Sequence, residues 1–121
     1  MDEFSTRLIV VDDLEDSART LAMLLELDGY RVQVARNGAE AIAMIESFRP
    51  ECIMFDIDMP VMDGFELSKH VRQHHCDDIV LIAMTARPRS DPRVAGAFEL
   101  ADHYFTKPID HAQLQKLLRP H

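Results

Sequence analysis

Polar residues of a few chemically useful types stand where apolar runs stop in this sequence. Asp12-Asp13 follows the run at 8–11, Asp56 follows 52–55, Thr85 closes 79–84 and Lys107 closes 103–106. A carboxylate at a strand end is a metal ligand, a nucleophile or a helix cap, and aspartate is an established phosphoryl acceptor. A lysine can neutralise one phosphoryl oxygen, and a threonine hydroxyl can donate a hydrogen bond to another. Taken singly, each residue has a plainer reading. A strand-end aspartate usually caps or turns, a lone lysine is usually solvated and a lone threonine usually caps. Taken together, they describe a phosphoryl-transfer site. Three carboxylates brought within a few ångströms repel by about 4 kcal/mol per pair at an effective dielectric of 20. They are therefore expected to persist only around a bound cation. Oxygen-only ligands in an incomplete cage favour Mg²⁺ (or Mn²⁺), which keeps waters and accepts phosphate oxygens.

That reading requires elements that bring the five positions together. The central run 52–55 is short and continuously apolar, which suits a strand buried on both faces. Met59-Pro60 and Asp63-Gly64 then interrupt regular structure, because the residue before proline avoids the helical region and Asp-Gly favours a turn. Asp56 is expected at the carboxyl end of that strand, on the edge where open parallel sheets bind ligands.

The flanking segments alternate in type. Residues 8–11 read as a first buried strand. From 17 to 27, Ala18, Leu21, Leu24 and Leu25 make a helical stripe, and Gly29 stops it. Residues 31–35 alternate Val32 and Val34 with polar neighbours, as an edge strand does. Asn37 is placed to cap a second helix with Glu40 three residues on. Ala41, Met44, Ile45 and Phe48 keep helical spacing until Pro50. A third helix over 66–74 turns Leu67 and Val71 inward. Residues 79–84 are a fourth strand, 87–92 a proline-rich loop, and Pro92 opens a helix to about 100. Residues 103–106 form a short fifth strand. Asp110 caps the last helix, with Gln113 in the reciprocal position and Leu114, Leu117 and Leu118 inward. Five strands alternating with five helices predict a three-layer α/β domain whose parallel sheet is covered on both faces. In such a sheet all strand ends share one edge, so Asp12, Asp13, Asp56, Thr85 and Lys107 should converge.

Composition narrows the function. A chain of 121 residues makes one domain, 1–121, with 47% apolar and 28% charged residues, which is ordinary for a globular protein. A net charge of −8 disfavours direct contact with nucleic acid or an anionic membrane. No apolar run spans a bilayer, so membrane insertion is not expected, and Met1-Asp2-Glu3 is unlike a signal peptide. Cys52 and Cys76 make no disulfide framework, which suggests a reducing cytoplasm, with Cys52 as a core thiol.

At this point a resemblance carries more than spacing does. Val11-Asp12-Asp13, Asp56-Ile57-Asp58-Met59-Pro60 with Met62-Asp63-Gly64, Met84-Thr85-Ala86 and Tyr104-Phe105-Thr106-Lys107-Pro108 together resemble the receiver domains of two-component response regulators, over essentially the whole chain. The resemblance implies a flavodoxin-like, CheY-like sheet in the order 2-1-3-4-5, an order known for a chemotaxis receiver and not obtained from periodicity. It implies that Asp56 accepts a phosphoryl group from the phosphohistidine of a sensor histidine kinase or histidine phosphotransfer protein. Asp13, Asp56 and the Asp58 backbone carbonyl would bind Mg²⁺, with Asp12 helping through water. Thr85 and Tyr104 would form a switch. Asp58 and Arg87 would flank the acceptor's mouth and set phosphate lifetime. A downstream protein would dock on the face made by the fourth helix, fifth strand and last helix. The domain would be a monomer or a weak phosphorylation-dependent dimer. Leu100 stands before Ala101-Asp102 where the family often has glycine, a departure that bears on the partner recognised.

Three other readings bear on these residues. Phe55-Asp56-Ile57-Asp58 also resembles the nucleophile motif of haloacid-dehalogenase-type phosphatases, but here the acidic pair precedes the nucleophile and nothing forms a substrate cap. A phosphorylation-independent, degenerate receiver would lack acceptor-site residues that this chain has. His70 and His74 share a helix face ahead of Cys76 and could hold Zn²⁺, against the plainer reading of a solvated helix end whose dipole favours histidine. The sequence ends at Pro120-His121 without an output domain, as expected of a stand-alone receiver or of one taken from a hybrid kinase or larger regulator.

Overall fold

The computed structural model describes residues 6–57, 64–75, 79–85, 101–107 and 110–118. In chain order these form β1 (Arg7–Val11), α1 (Glu15–Leu27), β2 (Arg31–Ala35), α2 (Gly38–Phe48), β3 (Cys52–Asp56), α3 (Gly64–His75), β4 (Val80–Thr85), β5 (His103–Thr106) and α4 (His111–Leu118). The helix expected over 92–100 and the loop at 87–92 lie outside the described residues. Among the described residues, no helix is long and apolar enough to cross a membrane.

The five strands make one parallel sheet in the order β2-β1-β3-β4-β5. Strand periodicity then sorts side chains to two cores. Ile9, Val11, Ile53, Phe55, Leu81 and Ala83 pack with Ala41 and Ile45 of α2 and Leu67 and Val71 of α3. Leu8, Val10, Cys52, Met54, Ile82 and Met84 pack on the other face with Ala18 and Leu25 of α1 and Leu114 of α4. The central strands β1 and β3 are thus buried on both faces, which explains their unbroken apolar runs. Edge strand β2 keeps its wetter face, as its alternation predicts.

Local chemistry sets the boundaries. Helix α1 starts two residues before the expected 17, because its acidic first turn, Glu15 and Asp16, suits the helix dipole although the apolar stripe begins later. It ends in a Schellman motif. Tyr30 N–H donates to the Leu25 carbonyl and Gly29 N–H to that of Glu26, with Gly29 at φ +100°. Asn37 accepts the Glu40 N–H at 2.8 Å, while Glu40 reaches past the cap to the Arg36 N–H at 2.9 Å. Arg49 closes α2 in the left-handed region (φ 53°), where its N–H still reaches the Ile45 carbonyl at 2.9 Å, and Pro50 cannot continue the helix. Asp110 accepts from the N–H groups of Ala112 and Gln113 and starts α4.

One clamp, at the sheet edge where β4 begins, went unanticipated. Arg72 of α3 donates to the Ile79 carbonyl at 3.0 Å and to Asp102 at 2.7 Å, and Asp102 also accepts the Leu81 N–H at 2.8 Å. Burial alone would raise the Asp102 carboxyl, but the Leu81 N–H and Arg72 outweigh it and hold it below the usual range. Arg72→Ala should cost about 1–2 kcal/mol, the low end for charge-assisted bonds because Asp102 is partly solvated. The measurement is the urea midpoint at constant slope; an unchanged midpoint would show that the clamp is idle.

Candidate functional site

The β1–β3 register pairs Val10 with Met54 and Val11 with Phe55. Continued by one residue, it sets Asp12 opposite Asp56, so two residues far apart in sequence share a rung at the carboxyl edge. Asp12 is fastened there by its own N–H to the Ala35 carbonyl (3.1 Å) and by its carboxylate, which accepts the Leu14 N–H (3.0 Å). Asp56 is the last residue of β3 and is 6% exposed; Asp12 is 3% exposed. Lys107 follows β5, and its N–H donates to the Thr85 carbonyl at 2.8 Å. That bond anchors the residue from which the lysine side chain reaches inward.

The Lys107 ammonium bridges the two aspartates, 2.7 Å from Asp56 Oδ2 and 3.3 Å from Asp12 Oδ2. Burial alone would depress the lysine, but hydrogen bonding and the charges of Asp56, then Asp12, hold it above its usual value. Asp12 is also raised. Its burial is the largest cause, only partly offset by the Leu14 N–H and Lys107, and the Asp56 charge adds to it. A simple ion pair would lower the acid; here the acid is the more buried partner and faces a second carboxylate. The expectation that these carboxylates need a bound cation is thereby refined, because the chain itself supplies an ammonium to the pair.

Asp13 completes the cluster from the exposed side. One carboxylate oxygen from each of Asp12, Asp13 and Asp56 lies within 4.8 Å of the others. Hard oxygen donors converging on one point, one of them open to solvent, fit a divalent ion that keeps water and admits substrate oxygens. Thr85 is fully buried at the end of β4, the strand next to β3. The structure therefore brings Asp12, Asp13, Asp56 and Lys107 together, with Thr85 at the adjoining strand end. Tyr104 is not in this cluster. It lies on edge strand β5 opposite Ala83 and is 42% exposed. Asp58 and Arg87 lie outside the described residues, as does Cys76 of the histidine-cysteine reading. Cys52 is buried, and burial pushes its thiol up, as a core thiol requires.

Leu14 was missed at the sequence level. It stands between the acidic pair and α1 and is 58% exposed. Its signal was an apolar residue inside the polar run Asp12-Asp13-Leu14-Glu15-Asp16.

The raised Asp12 carboxyl has a sign that can be tested. The folded state binds this proton more tightly than the unfolded chain, so Asp12's contribution is favourable in acid and is lost as pH rises through its folded value, above 3.8. Without divalent ions, Asp12→Asn should raise the thermal midpoint at neutral pH, and the gain should vanish below 3.8. A neutral-pH midpoint that falls would mean that the Lys107 bond outweighs burial.

A family model for the response regulator receiver domain matches residues 8–119. Response regulator MprA of Mycobacterium ulcerans (strain Agy99) is 37% identical over 115 residues, covering 95% of this chain and 49% of that protein. The chain spans about half the length of the curated relatives it matches. A CheY-like receiver domain protein from Methanospirillum hungatei superposes with a TM-score of 0.86 at 27% identity, covering 95% of this chain and 91% of its own. Response regulator TrrA from Thermotoga maritima, in complex with Mg²⁺ and BeF, superposes with a TM-score of 0.81 at 29% identity, covering 94% and 96%.

Proposed function

Because this chain belongs to the response regulator receiver domain family, we propose that Asp56 is its phosphoacceptor and that Asp12, Asp13, Thr85 and Lys107 serve that acceptor. The domain is a phosphoacceptor in two-component signal transduction rather than a classical enzyme. The observation that carries the assignment is the Asp56 carboxylate at the end of β3, bonded to Lys107 beside Asp12 and Asp13.

The reaction follows from what these groups can do. An Asp56 carboxylate oxygen attacks the phosphorus of a phosphohistidine. The P–O bond forms, the P–N bond breaks, and the electron pair leaves with the imidazole. Lys107 moves its ammonium from the carboxylates to a phosphoryl oxygen. The Thr85 hydroxyl donates to another oxygen, and that contact exists only in the phosphorylated state, so it can bias a two-state face. Asp12, Asp13 and Asp56 would hold Mg²⁺ (or Mn²⁺), with the Asp58 carbonyl as the further ligand that the family resemblance implies, and the ion would supply further charge neutralisation.

Tyr104 is the second switch residue in this reading and turns inward as Thr85 moves. A role for Arg87 and Asp58 in phosphate lifetime is part of the same proposal. The phosphodonor is a sensor histidine kinase or a histidine phosphotransfer protein in the cytoplasm. The downstream partner docks on the face made by the helix expected over 92–100, β5 and the last helix, α4. The domain is a monomer or dimerises weakly when phosphorylated.

The test is labelling by acetyl phosphate. One phosphoryl group per chain, dependent on Mg²⁺, is expected by intact mass; metal-independent labelling would count against the site. Leu14 separates donor docking from chemistry. Leu14→Ala should slow transfer from a phosphohistidine protein about tenfold, the scale of one buried apolar contact, and leave acetyl phosphate labelling unchanged. Equal slowing with both donors would place Leu14 in the chemistry instead.

A further inference from the structure

His70 and His74 lie one turn apart near the end of α3, with ring centroids 4.2 Å apart and planes tilted by 43°. We propose that these two imidazoles form a chelating site for a borderline divalent transition ion, Zn²⁺, Ni²⁺ or Cu²⁺, distinct from the acceptor site. Residues four apart on a helix share a face, with Cβ atoms about 5–6 Å apart. Metal–nitrogen bonds of about 2.0–2.1 Å at tetrahedral or square angles need nitrogens roughly 2.9–3.4 Å apart. Rings whose centroids are 4.2 Å apart put a nitrogen of each within range of one shared ion.

Other residues of α3 face elsewhere. Leu67 and Val71 turn into the core, and Arg72 is engaged with Ile79 and Asp102. His70 is half-buried and His74 exposed, so an ion has access from solvent. The site is also far from the acceptor. Helix α3 starts at Gly64, eight residues after Asp56, and sets His74 about 15 Å along its axis from Gly64 at 1.5 Å per residue.

Ligand chemistry separates the two sites as well. Imidazole suits Zn²⁺, Ni²⁺ and Cu²⁺, whereas Mg²⁺ demands oxygen donors. Two protein ligands leave the remaining positions to water, so binding is reversible, and Cu²⁺ should bind most tightly.

The experiment is a Zn²⁺ titration of the whole chain in excess Mg²⁺, which occupies the carboxylate cluster, read through imidazole nitrogen shifts by NMR. The His70 and His74 signals should move together and saturate at one ion per chain. His70→Gln and His74→Gln should each weaken binding at least tenfold, with acetyl phosphate labelling unchanged. Shifts centred on His103 or His111, undiminished binding in either variant, or no movement of these two rings would overturn the site. None of those results would touch the phosphoacceptor reading, which is measured separately by the labelling.

Discussion

Asp56→Asn is expected to abolish Mg²⁺-dependent labelling by acetyl phosphate, with a rate loss of about a thousandfold or more, because the substitution removes the nucleophile itself. Asparagine keeps the shape of the side chain but has no anionic oxygen to attack phosphorus. The neighbouring acids are poor substitutes. Asp12 is buried, with one oxygen committed to the Leu14 N–H and the other to Lys107. Asp13 stands on the solvent side of the cluster. The variant should also fold well. It removes one charge from a crowded cluster and leaves Lys107 paired with Asp12, so the thermal midpoint should hold or rise without metal. Lost labelling with an intact midpoint therefore reports chemistry rather than unfolding. Stoichiometric phosphorylation of the variant at another residue would defeat the assignment.

Lys107→Ala should move two measurements in opposite directions. The ammonium lies against both Asp56 and Asp12, where it opposes any cation that those carboxylates would bind. A unit charge at this range is worth up to about 4 kcal/mol at an effective dielectric of 20, and water contact reduces that. Side-chain exposure of Lys107 is 26%, so partial screening applies. Mg²⁺ should therefore bind roughly tenfold more tightly to the variant, about 1.4 kcal/mol. Phosphoryl transfer should fall by about a hundredfold or more, because the ammonium hydrogen-bonded to the acceptor's oxygen is lost.

Stability links the two measurements. Lys107 is held above 10.5, so its stabilising contribution is fully present at neutral pH and is lost only as pH rises through the folded value. The metal-free variant should lose about 1–3 kcal/mol at neutral pH, less than a fully buried pair, and Mg²⁺ should restore most of it. The chain has no tryptophan, so amide shifts are the direct readout of the titration. Unchanged or weaker Mg²⁺ binding would show that Lys107 does not compete for the carboxylates.

The elements were legible because their causes are local. The unbroken run ending at Asp56, the alternation in β2, the Asn37 cap and the Asp110 cap each depend on a few neighbouring residues. Boundaries were less legible. The start of α1 is set by its acidic first turn, and Arg49 takes a left-handed conformation that spacing alone would not assign.

The residue types of the site were also written in the sequence, and parallel strand ends predicted that they would meet at one edge. The strand order came from resemblance to a family rather than from periodicity. What only the tertiary structure decided is the pairing itself. Asp12 shares a rung with Asp56 because β1 and β3 adopt one register, and Lys107 bridges both from 95 residues beyond Asp12 and 51 beyond Asp56. The same packing leaves Leu14 exposed at the rim, closes the Arg72–Asp102 clamp and turns Tyr104 outward. Register and side-chain reach are set by how helices pack the two faces of the sheet, and that packing balances contacts from the whole chain, which no local pattern encodes.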